Sequence, residues 1–143
     1  MSTATSRVRR DVIRDKLMRC AGKAPDASAV AAATVAIWPQ VFERLAPIIG
    51  PRGIDALFRR ALHLTGRSFP SVSGDVGHGT AALDAFSAHL RQEDVSTAAA
   101  ASGEILFSFT ELLADLIGES LTDRLLDPVW ALPAPASVRE KQL

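Results

Sequence analysis

An all-α fold is predicted by three features of this chain. Ala and Leu dominate a composition that is 48% hydrophobic, 6% aromatic and devoid of Tyr, and these two residues lead the helix scale while strand-favouring aromatics are sparse. Apolar residues recur at helical spacing, as in Ile13, Leu17 and Cys20 or Leu83, Phe86 and Leu90. Gly and Pro fall mostly between the periodic segments and not within an alternating pattern. At 143 residues the chain has the size of one ordinary domain and needs neither metal nor disulfide to bury a core. The expectation is a single-domain bundle of five to six helices over residues 7–132, with flexible ends at 1–6 and 133–143. The first six residues are small and polar, and the last eleven contain Pro133 and Pro135 beside a charged end.

The first helix is expected over residues 7–21, where Gly22 and Pro25 stop it. A second covers 26–46, Ala-rich and then amphipathic through Trp38, Val41, Phe42 and Leu45. Pro39 lies inside it, so the spacing allows one kinked helix or two meeting near Trp38. Gly50-Pro51-Arg52-Gly53 reads as a turn from which Pro51 starts a third helix over 54–65. A Gly-rich loop at 66–79 precedes a fourth helix over 80–92, and a fifth runs over 95–117. Gly118 bends the chain into a last helix at 121–126, which Pro128 ends. The fifth helix is expected at the centre, packed by Trp38, Phe42, Leu45, Leu57, Phe58, Leu62, Leu83, Phe86, Leu90, Phe109, Leu112 and Leu116.

Charge is strongly segregated although the formal net charge is zero. Residues 1–23 carry seven cations against Asp11 and Asp15, a balance of +5, and residues 93–127 carry eight carboxylates against Arg124, a balance of −7. Such opposed fields predict a basic helix docking on an acidic one, in the same molecule or a neighbour. A neighbour is the favoured choice, because Phe107 falls on the polar side of the fifth helix and the Ile13–Leu17–Cys20 stripe is narrow, leaving surface to cover.

Two faces are candidate interaction surfaces. On the third helix Arg52, Arg59, Arg60, His63 and Arg67 share the side opposite the apolar arc, where paired guanidinium donors suit a phosphate or a carboxylate surface. On the fifth, Glu104, Glu111 and Asp115 line up with Ser108 beside them. No Glu-x-x-His motif accompanies these carboxylates, so no metal is expected. His63 among cations admits an alternative reading as a phosphotransfer histidine, while His89 sits at the margin of an apolar face and His78 lies in the Gly-rich loop. That loop lacks the Lys of a phosphate-binding motif and is read as a connector. A third reading is an effector-binding domain with a pocket around residues 66–79.

Several classes are disfavoured. A lone Cys20 excludes an intramolecular disulfide and falls on the buried stripe of the first helix, which suits a reducing compartment. Met1-Ser2-Thr3-Ala4 leads into arginines and not an apolar run, so no secretory signal is expected and the location is read as cytoplasmic. The apolar stretches are too short or too polar to span a membrane. A pI of about 6.8 and the absence of helix-turn-helix proportions argue against nucleic acid.

The segments Trp38-Pro39-Gln40-Val41-Phe42-Glu43-Arg44-Leu45-Ala46-Pro47-Ile48-Ile49-Gly50 and Leu116-Ile117-Gly118-Glu119-Ser120-Leu121-Thr122-Asp123-Arg124-Leu125-Leu126, followed by Trp130, resemble a helical region of proteobacterial signalling and regulatory proteins. The likeness covers about residues 34–130 and rests on packing residues. It implies a role in bacterial signal transduction and carries no catalytic residue. The expectation is therefore a non-catalytic regulatory protein without cofactor, whose partner is another protein, a second copy of itself included.

Overall fold

A computed structural model describes residues 3–22, 26–70 and 80–131. Five helices follow in order: α1 (Thr3–Ala21), α2 (Ala27–Ser68), α3 (Thr80–Arg91), α4 (Val95–Ile117) and α5 (Glu119–Ala131), with no strand among the described residues. The predicted all-α bundle is the observed fold. α1 starts at Thr3, four residues ahead of the expected start, and the tail at 133–143 lies outside the described residues.

α2 organises the bundle and packs against each of the other four helices, most extensively against α4. Straight, its 42 residues would reach about 63 Å, roughly twice the width of a small domain. The chain resolves this by turning at Gly50, whose φ of 76° and ψ of 164° are non-helical. Positive φ costs Gly nothing, extended ψ suits a residue before proline, and Pro51 then opens the second arm with its φ already set. Of the two arrangements the spacing allowed at Pro39, the structure has the first, a helix continuous through it. The missing N–H of Pro39 removes one bond to the Val35 carbonyl, but the neighbouring Trp38 is fully buried and holds the backbone in place. The boundary thus falls at Gly50, between arms 27–49 and 51–68.

An aromatic cluster fixes the angle between these arms. Trp38 meets Phe42 at 5.4 Å on its own arm, Phe58 edge-on at 4.9 Å on the second arm, and Phe109 edge-on at 5.0 Å on α4. Elsewhere α2 and α4 approach through small residues, where Thr34 and Ser102 share a buried hydroxyl–hydroxyl hydrogen bond. Asp26 and Asp94 cap α2 and α4, accepting from the backbone N–H of Ala29 and of Thr97, and the Thr97 hydroxyl, which also donates to Asp94, acts with that N–H to hold the Asp94 carboxyl below its usual range.

The expected core holds with Phe42 and Leu57 of α2 half-buried at its edge and with two corrections on α4. Leu116, expected inside, is 61% exposed, and Leu112 is half-buried, whereas Leu106 and Leu113 are buried. Leu116 occupies the last turn before Gly118, whose φ of 96° swings the chain away. Pro128 does not end α5, which continues to Ala131 because Val129 and Trp130 are both buried. Arg44 donates to the Leu125 carbonyl at 2.9 Å and Arg19 to the Trp130 carbonyl at 2.6 Å, so α1 and α2 hold the segment around this proline.

Candidate functional site

The acidic face of α4 is occupied by the protein's own first helix. Arg9, 7% exposed, donates to Glu111 and, at 3.2 Å, to Asp123 of α5. Burial works against its charge, but the two carboxylates outweigh that cost and hold the guanidinium above its ordinary value. Arg10 bonds Glu104 at 2.7 Å and lies 3.9 Å above the Phe107 ring, a cation–π contact that covers this Phe. Ile13 and Leu17 enter the common core, with Cys20 packed beside them. The basic segment thus docks on its own chain, where it covers Phe107 and buries the Ile13–Leu17 stripe. Asp115 is exposed and takes no part in these ion pairs.

α1 also buries a charge that the sequence places among exposed cations. Lys16 is 0% exposed, and burial pushes its ammonium below the ordinary lysine value, with Arg19 adding to the shift and Cys20 opposing it. Burial raises the Cys20 thiol in turn. Below the folded-state value Lys16 is charged in both the folded and the unfolded chain. Between that value and the ordinary one the unfolded chain holds the proton more tightly, so stability rises with pH. Lys16→Met is expected to flatten that rise, as thermal melts across the alkaline range will read.

The basic face is the converse case. Arg52, Arg59, Arg60, His63 and Arg67 are all exposed along the second arm of α2. His89 is half-buried in α3. His78 and residues 71–79 of the expected effector loop lie outside the described residues. No group of three or more His, Cys, Asp or Glu among the described residues is arranged to hold a metal, and no helix among them is long and apolar enough to cross a membrane.

A third feature is not apparent from helical spacing alone. Where α2 bends, its two arms and α3 enclose an open-mouthed cleft of about 420 Å³ lined by Pro39, Phe42, Glu43, Ala46, Pro51, Ile54, Asp55, Phe58 and Leu83. Each arm contributes a stripe at i, i+3, i+4 and i+7, the positions that share one side of a helix. Its signature is present in the sequence as two like octets, Pro39-Gln40-Val41-Phe42-Glu43-Arg44-Leu45-Ala46 and Pro51-Arg52-Gly53-Ile54-Asp55-Ala56-Leu57-Phe58. Both read Pro-x-x-apolar-acid-x-Leu-apolar, and the bend turns corresponding residues toward a common space. The Trp38 ring packs behind this wall against Phe42 and Phe58.

No family model, curated protein or solved structure matches the chain.

Proposed function

We propose that the protein is a non-catalytic, regulatory helical module that binds a partner protein presenting an acidic surface. The observation that supports this reading is the unequal fate of the two charged faces. Glu104 and Glu111 are engaged by Arg10 and Arg9, while Arg52, Arg60, His63 and Arg67 stand exposed on the second arm of α2. Arginine forks match carboxylates in pairs, and an array set by helical spacing recognises a pattern of acids better than a single charge does. A role in bacterial signal transduction rests on the resemblance of residues 38–50 and 116–126 to signalling proteins, and the cytoplasmic location on the lone Cys20, which suits a reducing compartment.

Charge reversal tests the reading. Affinity capture with the intact protein is expected to retain a partner that Arg60→Glu/Arg67→Glu loses, at unchanged melting temperature because both side chains are exposed. Two rim contacts worth up to about 1 kcal/mol each would weaken binding by on the order of tenfold, more at low salt than at high. His63→Ala is expected to retain the partner, because the arginines act collectively and need no titrating group. Loss of activity in His63→Ala together with an acid-labile phosphate on the unaltered chain would overturn the reading in favour of phosphotransfer.

A further inference from the structure

We infer that the partner met by the basic arm of α2 is a second copy of this chain, which presents the acidic surface where α4 passes into α5. This rests on the reading above and names the partner. With α1 docked, Glu104 and Glu111 are taken by Arg10 and Arg9, but the run of acids continues past them. Asp115 is exposed in the last turn of α4, and Glu119, Asp123 and Asp127 follow one turn apart along α5. Among the described residues Asp123 is the one of these four that meets a cation, Arg9 at 3.2 Å. Burial and then the Asp123 carboxylate push the Asp127 carboxyl above its ordinary range, with Arg9 opposing, so the patch gains from a cation brought to it. Arg124 is the one cation between 115 and 127 and falls about 100° around the helix from Asp123, off the line of acids.

The two surfaces match in dimension as well as in sign. Arg52, Ala56, Arg60, His63 and Arg67 form one stripe, exposed throughout, at helical steps of four, four, three and four residues. Arg52 and Arg60 stand eight residues apart, as do Glu119 and Asp127, so each pair spans about 12 Å along its helix. Ala56 leaves a gap between the long stems of Arg52 and Arg60. Leu116, 61% exposed beside Asp115, is an apolar side chain that fits between such stems. Laid together, the helices pair arginine with carboxylate at several points and remove this Leu from water. The surfaces differ, so the contact is heterologous and each copy both offers and receives one.

Light scattering of the intact chain tests this. Exposed ion pairs are individually weak, so at low ionic strength the mass is expected to rise as the protein approaches concentrations on the order of a millimolar. The rise should vanish near 1 M salt, where the Debye length is about 3 Å. Arg60→Glu/Arg67→Glu and Asp115→Lys/Glu119→Lys are each expected to weaken association by about tenfold or more. An equimolar mixture of the two variants is expected to associate again, since each supplies the face the other has lost, and misfolding of either cannot imitate that. Glu43→Lys/Asp84→Lys, which makes the same change in net charge at exposed positions elsewhere, is expected to retain association. A chain monomeric at every concentration, undiminished association in either face variant, a mixture that stays monomeric, or a loss as large in Glu43→Lys/Asp84→Lys would each overturn the assignment. A monomeric chain that still captures a different protein through Arg60 and Arg67 would overturn the second copy alone and leave the protein-binding reading standing.

Discussion

Trp38→Ala is expected to cost about 3–5 kcal/mol, the range for removing a large buried aromatic and leaving a cavity. The position justifies the upper part of that range. Trp38 is 0% exposed and joins three elements, since its ring meets Phe42 on one arm of α2, Phe58 on the other and Phe109 on α4. Edge-on pairs of this kind add about 0.5–1.5 kcal/mol each to the area they bury. Truncation therefore removes the strut that sets the angle at Gly50, and the cleft should lose its shape with it. Urea melts give the stability change, and a loss below about 1 kcal/mol would show that the arms hold their angle without the indole. Trp38→Phe should incur only part of the loss, because a ring remains at the junction.

Removal of α1 is expected to be comparably severe. Ile13 and Leu17 are buried and each contributes about 1.5–3 kcal/mol by burial alone. Arg9 is lost with them, which leaves Glu111 and Asp123 without the cation that neutralises them. The sum exceeds about 3 kcal/mol, a large share of the roughly 5–15 kcal/mol that keeps a domain folded. Because α1 packs on its own chain, the loss should be the same at every protein concentration. Denaturant melts of the full-length chain and of residues 22–143, at several concentrations and two ionic strengths, read both points. High salt should weaken the exposed Arg10–Glu104 pair more than the contacts of the nearly buried Arg9. A deletion that leaves stability unchanged and converts a dimer to a monomer would reverse the assignment.

The parts of the fold that depend on local chemistry were legible in the sequence. Gly22 and Gly118 stop helices through their own backbone freedom, and both have positive φ, 98° and 96°. The prolines were less legible because their effect is decided elsewhere. The bond lost at Pro39 or Pro128 is outweighed by the burial of adjacent side chains, Trp38 in one case and Val129 with Trp130 in the other. A helical wheel cannot find that balance, since it contains no neighbours. The same limit explains Leu116, which lies on the apolar side of α4 but beyond its packing partners. Of the candidate surfaces, the five basic residues stand on one exposed face as the spacing implied. Glu104 and Glu111 align as expected, but their role reverses, from a surface offered to a partner into one closed by α1. The cleft was legible only in part. Its two octets are visible in the chain, but nothing local says that Gly50 bends them toward each other.

The contact between α1 and α4 is that of a tethered ligand. Only a short connection separates α1 from α2, so the basic helix stays beside the acidic face at an effective concentration on the order of millimolar. A free basic peptide of equal intrinsic affinity must reach comparable concentrations to compete, and one at micromolar levels is excluded without any steric block. The surface is thereby insulated from free polycations by connectivity, and remains open only to a ligand that binds it far more strongly than Arg9 and Arg10 do.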